Sequence, residues 1–176
     1  MNRRVFVFFL KDSRSGNLIT KSEVWEMHKE QLMKKPCDCG GIMTIHMHTL
    51  IYSAKIKITH VPVYTCTECG RYEPLPFIKS DLGKLIHELG ESPPKRHISF
   101  ADKNEWASVL KETFAAGLFA GGMSEVEDAI RSGIQGRIDL LLDVYRVAAD
   151  LLDRKWMDET GKRISQLTVQ SAERAK

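Results

Sequence analysis

The chain of 176 residues has no apolar run long enough to cross a bilayer. Its longest, Val5-Phe6-Val7-Phe8-Phe9-Leu10, is a strand's worth of residues against the roughly 20 that a span needs. The same segment lacks the small-residue cleavage site of a secretory signal, so the expected location is cytoplasmic. No internal repeat and no low-complexity tract interrupts the sequence. Also missing are a Gly-rich loop to cradle phosphate and a His-Glu-x-x-His metal motif, and Ser, His and Asp are scattered without a nucleophilic arrangement. The expectation is therefore a protein that is not an enzyme. Cysteine is scarce: only Cys37, Cys39, Cys66 and Cys69 occur, all inside one 33-residue window. A disulfide framework staples distant loops, and this confinement argues against one.

What remains is the composition of a packed protein. The apolar share of 43% is too high for a disordered chain, and the length suits one ordinary domain or two small ones. A net charge of +3 hides an asymmetry: residues 1–100 carry 15 Lys/Arg against 10 Asp/Glu, whereas residues 101–176 carry 11 against 13. The basic excess sits with the cysteines. It permits a nucleic-acid partner without demanding one, because it is neither large nor a clustered stripe in the sequence.

Residues 4–10 read as a strand ended by the polar turn 11–17. Thr20 and Glu23 then have capping-box spacing, which predicts a short helix to about Lys35, stopped by Pro36. From Ile42 to Tyr52 and from Lys55 to Thr65, β-branched residues dominate and predict an antiparallel hairpin. Strict alternation would put Ile56, Ile58, His60 and Tyr64 on one face of the second strand. Ser80 is the expected cap of a helix carrying Leu82, Leu85, Ile86 and Leu89 and ended by Gly90. The Pro-Pro stretch 91–97 reads as a linker. Beyond it, Asp102 or Asn104 should start a helix with Trp106, Val109, Leu110, Phe114 and Leu118 on its apolar stripe, ended by Gly121-Gly122. Ser124 and Glu127 resemble a second capping box. The long helix that follows repeats Val126, Ile130, Ile134, Ile138, Leu141, Tyr145, Ala148 and Leu152 at steps of three and four. Gly133 and Gly136 weaken it, and mark either a close backbone approach or a break. The three tryptophans, Trp25, Trp106 and Trp156, are expected to pack rather than to bind ligands, and the tail after Gly161 to fray.

Cys37-Asp38-Cys39-Gly40-Gly41 and Cys66-Thr67-Glu68-Cys69-Gly70 are two tight pairs, each followed by glycine. Zinc takes four thiolates tetrahedrally, and a close pair supplies half of that shell. Glycine after each pair suits a turn that needs positive φ. Such a site is closed to water and therefore structural. The window resembles the YgiT-type zinc fingers, the metal-binding half of MqsA-like antitoxins. The likeness is carried by Cys-x-Cys-Gly-Gly and by Val61-Pro62-Val63-Tyr64-x-Cys66-x-x-Cys69-Gly70 over about residues 36–73. It implies one zinc ion on Cys37, Cys39, Cys66 and Cys69. The first pair is one residue shorter than the usual Cys-x-x-Cys, which leaves His46, His48 and His60 as alternative ligands. MqsA-like proteins follow the finger with a helix-turn-helix that reads DNA; here both helices expected after the linker are amphipathic with broad apolar faces, and the half that holds them is net acidic, a poor surface for phosphates.

The expected class is α+β: a small zinc-ribbon β-hairpin module with flanking strand and helix (1–90), the linker (91–97), and a helical module built on a helical hairpin (98–176). The expected function is that of an intracellular regulatory or adaptor protein whose helices dimerise or hold a protein partner. A DNA-binding repressor of the MqsA type is the alternative, with phosphate contacts from Lys55, Lys57, Arg71, Lys95 and Arg96; a redox-sensing zinc switch is a weaker one.

Overall fold

The computed structural model describes residues 10–11, 18–19, 32–91, 94–117 and 122–168. It is α+β. Strands β1 (Leu10–Lys11) and β2 (Leu18–Ile19) pair with each other. A second sheet contains β3 (Lys34–Pro36), β4 (Ile42–Tyr52), β5 (Ile56–Cys66), β6 (Tyr72–Pro74) and β7 (Arg96–Ser99). Its order is β3-β4-β5-β6, antiparallel throughout, with β7 added in parallel to the other half of the β5 edge. The helices are α1 (Lys79–Leu89), α2 (Glu105–Ala115), α3 (Met123–Asp150) and α4 (Arg154–Thr168). None is long and apolar enough to cross a membrane.

The β4–β5 hairpin forms as the β-branched runs predict, but strict alternation fails in β5. His48 pairs with Val61 and Leu50 with Ile58, so one residue of β4 faces two of β5, Thr59 and His60. His60 takes a φ of 57°, and this β-bulge inserts one residue and reverses the alternation. Ile56, Ile58, Val61 and Val63 therefore share one face, each fully buried, while Tyr64 lies on the other. The same bulge is where β5 changes its second neighbour, from β7 at residues 56–59 to β6 at residues 63–65.

Several element ends differ from expectation. The stretch 20–31, including Trp25, and Leu118 lie outside the described residues, and residues 34–36 at the end of the expected helix are a strand. Pro36 there closes β3 rather than a helix. Ser80 is not a cap: a 3₁₀ turn over Pro76–Ile78 runs straight into α1, leaving no free helix end at Ser80. Arg96–Ser99, at the end of the expected linker, is a strand. Asn104 caps α2, accepting from the Ala107 N–H, and α2 stops at Ala115, before Gly121-Gly122. The expected cap Ser124 lies inside α3, which opens from Gly122, and Glu127 instead accepts from the Met33 N–H at 2.9 Å. Gly133 and Gly136 do not break α3, which runs unbroken for 28 residues. At Gly133 a Cβ would lie 3.0 Å from Val109 Cγ1, so this glycine lets α2 sit close.

The tail after Gly161 is helix, not frayed chain, as far as Thr168; it belongs to α4, which buries Thr160, Ile164, Leu167 and Thr168 at steps of four, three and one. One hydrophobic cluster runs from the sheet through Phe100, Trp106 and Leu110 into α3 and α4. Trp106 is fully buried, with the Phe77 ring 4.6 Å away. Glu105, also buried, ties three helices: it pairs with Arg137 of α3 at 3.1 Å and with Arg163 of α4 at 2.6 Å.

Candidate metal centre

In an antiparallel sheet with order β3-β4-β5-β6, the β3–β4 and β5–β6 turns fall at the same end, side by side. Each turn carries one cysteine pair. In the first, Cys37 N–H donates to the Gly41 carbonyl and Gly40 N–H to the Cys37 carbonyl, both at 2.9 Å. In the second, Cys66 N–H donates to the Arg71 carbonyl at 2.9 Å and Gly70 N–H to the Cys66 carbonyl at 3.0 Å. Gly40 and Gly70 have φ of 89° and 70°, the left-handed conformation expected directly after each pair. Gly41 matters for a different reason. Its φ is not positive, but a Cβ there would stand 2.8 Å from Glu68 Cγ and 3.1 Å from Cys66 Sγ. Only glycine lets the two turns approach this closely.

The four sulfurs all lie within 4.8 Å of one another. Across the turns, Cys37 Sγ is 3.7 Å from Cys69 Sγ, and Cys39 Sγ is 3.6 Å from Cys66 Sγ. A tetrahedral shell with metal–sulfur bonds of about 2.3 Å has edges of about 3.8 Å, so these separations suit a single metal ion at the centre. Cys37 and Cys66 are buried, Cys39 and Cys69 exposed. Their protons are held unequally. The Cys69 N–H lowers the Cys66 thiol to about 7. At Cys39 the Gly41 N–H lowers the value, but hydrogen bonds to the sulfurs of Cys37, Cys69 and Cys66 override it and push the thiol up to about 12. Four sulfurs this close cannot all carry negative charge unaided, and a divalent cation among them removes that conflict.

The histidines do not join. His46 Nε2 meets Thr44 Oγ1 at 2.9 Å, His48 Nε2 meets Thr65 Oγ1 at 3.2 Å, and His60 Nδ1 meets Ser99 Oγ at 3.1 Å. Among the described residues, the four cysteines are the one grouping of potential ligands close enough to hold an ion. The short Cys-x-Cys spacing is thus accommodated within the five-residue turn 37–41, without a substitute ligand.

Two ion pairs around the centre were not legible in the sequence. Arg71 of the second turn pairs with Asp38 of the first, and the hydrogen bond to Asp38 raises the guanidinium's pKa further. Lys35 of β3 passes over the Tyr64 ring, 5.3 Å from its centroid, to pair with Glu73 of β6. That contact joins the two outer strands and reflects the curl of the sheet. Arg71 therefore stands at the metal end, away from the other cations proposed for phosphate contact. No family model, no curated protein and no solved structure matches the chain. The YgiT-type likeness accordingly rests on the motif residues alone.

Proposed function

We propose that this is a non-enzymatic zinc-binding regulatory or adaptor protein, with one structural zinc ion on Cys37, Cys39, Cys66 and Cys69 and a protein-docking face on its helical half. The chemistry of the donor set supports zinc: four thiolates at near-tetrahedral separations make a shell with no position left for water or substrate.

The observation that carries the docking role is a second apolar stripe on α3. The periodic set Val126, Ile130, Ile134, Ile138, Leu141 and Ala148 is buried against the rest of the protein, and Leu110 of α2 is fully buried as well. These side chains form core, so they are not available to a partner. Leu140, Val147 and Leu151, however, are 58%, 49% and 67% exposed. Their steps of seven and four place them along one line of the helix, and the exposed Trp156 follows on α4. An exposed apolar line on a helix otherwise packed on its other face supports reading this face as the docking surface.

The test is association measured by sedimentation equilibrium and by cross-linking in cells. Leu140→Glu/Val147→Glu should abolish the complex formed by the wild type, whether with itself or with another protein, while retaining one zinc per chain. Undiminished association of the folded double variant would overturn the reading. The alternative, an MqsA-type DNA-binding repressor or antitoxin, draws its support from the sheet cations and not from the net-acidic helical half.

A further inference from the structure

Strand β4 is paired along most of its length by β5, but on its other side β3 reaches only residues 42–44. The Cys37 N–H donates to the Gly41 carbonyl across the β3–β4 turn, which fixes the phase of that ladder. Backbone groups alternate in direction along a strand, so the odd-numbered residues of β4 direct theirs toward the β3 side. The N–H and C=O of Met47, Thr49 and Ile51 therefore point outward, and none has a backbone partner among the described residues. Thr49 is exposed, and Ile51 is 58% exposed.

Proteins defend such edges with charge, proline or brevity. The other edges of this sheet follow that rule. Lys34, Lys35 and Pro36 make up β3, β6 is three residues ending in Pro74, and β7 is four residues beginning with Arg96. The stretch from His46 to Tyr52 holds no lysine, arginine, carboxylate, proline or glycine, and the bulge lies on β5 and not on it. Beside this stretch is a cleft of about 530 Å³, lined by residues 48–52 with Ile58, Tyr72 and Ile86. Leu50 pairs with Ile58, so His48, Leu50 and Tyr52 share the face of the sheet that bears the cleft. Ile51 lies on the opposite face, in a row with the exposed Lys57 and His97. From Ile42 to Cys66 the hairpin carries Lys55 and Lys57 but no Asp or Glu.

We propose that the β4 edge from His46 to Tyr52 takes an extended peptide segment of a protein partner as an added strand, with apolar side chains on the cleft face and acidic ones on the Lys57 face. Where a peptide adds to a sheet edge, main-chain hydrogen bonds give affinity and pockets for alternate side chains give specificity. This edge offers both. The acidic class follows from charge complementarity, since carboxylates on the second face meet Lys57 and no competing carboxylate of the hairpin. The edge belongs to the sheet and not to α3, so it is tested separately from the helical docking stripe.

The probe is a fluorescein-labelled synthetic peptide in which Glu alternates with Ile, Phe and Val, measured by anisotropy with the zinc-loaded full chain. It should bind saturably, whereas the same residues with the glutamates grouped at one end should not. Only alternate amides of an added strand face its neighbour, so N-methylation of one alternate set should abolish binding and of the other leave it intact. Thr49→Pro removes an outward N–H that β5 does not use, and should weaken binding about tenfold. Thr49→Val keeps that N–H and should bind as the wild type does, as should Leu140→Glu/Val147→Glu. Zinc content and circular dichroism verify that each variant is folded. Any of three results would overturn the proposal: no binding of the alternating peptide by the wild type, equal binding whichever set of amides is methylated, or a wild-type dimer that Thr49→Pro dissolves, which would assign the edge to a second copy of the chain.

Discussion

Gly41→Ala tests the metal centre without touching a ligand. The new Cβ would stand 2.8 Å from Glu68 Cγ, 3.2 Å from Glu68 Cβ and 3.1 Å from Cys66 Sγ. Glu68 is exposed, so its side chain can swing away at small cost. Cys66 cannot, because the residue is 1% exposed and its sulfur already stands 3.6 Å from that of Cys39. Overpacking of this kind costs about 1–3 kcal/mol. The cost falls on the close approach of the two turns, which a shell made of all four cysteines requires. Zinc affinity should then drop by a factor between about 5 and 150, at 1.4 kcal/mol per tenfold. A competition titration against a chromophoric chelator reads this directly. Glu68→Ala in the same chain removes the closest atom and should recover part of the loss, but not the part due to Cys66. Gly40→Ala is the contrast: nothing lies within 4 Å of its Cβ position, and its loss would come only from a φ of 89°. Wild-type zinc affinity in Gly41→Ala would refute the reasoning that the turns must touch to complete the shell.

Glu105→Gln should lower unfolding free energy by about 1–3 kcal/mol in urea, because Arg137 and Arg163 both lose a charged acceptor; a change below 0.5 kcal/mol would show that the three-helix tie is ornamental. The hydrogen bond from Arg137 holds the Glu112 carboxyl below its ordinary range, so this pair stabilises the fold above that range and the contribution is lost as pH falls through it. The gap in urea midpoint between wild type and Glu112→Gln should accordingly close as the pH falls below the ordinary carboxylate range, and a gap independent of pH would contradict the assignment. Leu152 turns the chain from α3 into α4 with a φ of 56° while 84% exposed; Leu152→Gly should raise the melting temperature by relieving about 1 kcal/mol of backbone strain, and a lower one would mean the side chain packs. Deleting His60 should prevent folding, measured by circular dichroism and zinc content, whereas His60→Gly keeps the residue count and should fold; a folded deletion protein would disprove the account of the bulge.

The cysteine centre and the hairpin that bears it were legible because both rest on local spacing: two tight pairs with glycine after each, and two runs of β-branched residues. The amphipathic helices were legible through their period, and Asn104 through its position at the start of one. Both misassigned caps had the right residues in the wrong surroundings. Ser80 follows a 3₁₀ turn that already occupies the helix start, and the Glu127 carboxylate is taken by the Met33 backbone, 94 residues away. The α4 helix was masked by composition, since two of the four positions it buries are threonines. Strand β7 is four residues long and pairs in parallel with a strand about forty positions earlier, which no local pattern announces. Likewise the register that sets His97 beside Lys57 is a property that charge counting along the chain cannot detect.

The bulge at His60 connects these observations. A strand with unbroken alternation would send Val61 and Val63 to the face opposite Ile56 and Ile58, since a shift of one residue exchanges the faces. Burying a valine or isoleucine is worth about 1.5–3 kcal/mol, so turning either pair outward would cost a large share of the 5–15 kcal/mol that holds a domain together. The extra residue keeps all four on the face that packs toward Phe100 and Trp106, and it does so at the point where β5 exchanges β6 for β7. Glycine is the usual occupant of a left-handed bulge position. Histidine here accepts the conformation and uses its ring to meet Ser99 of the incoming strand. The cysteine end of β5 is thereby tied through one continuous apolar face to the helices, and its other end to β7.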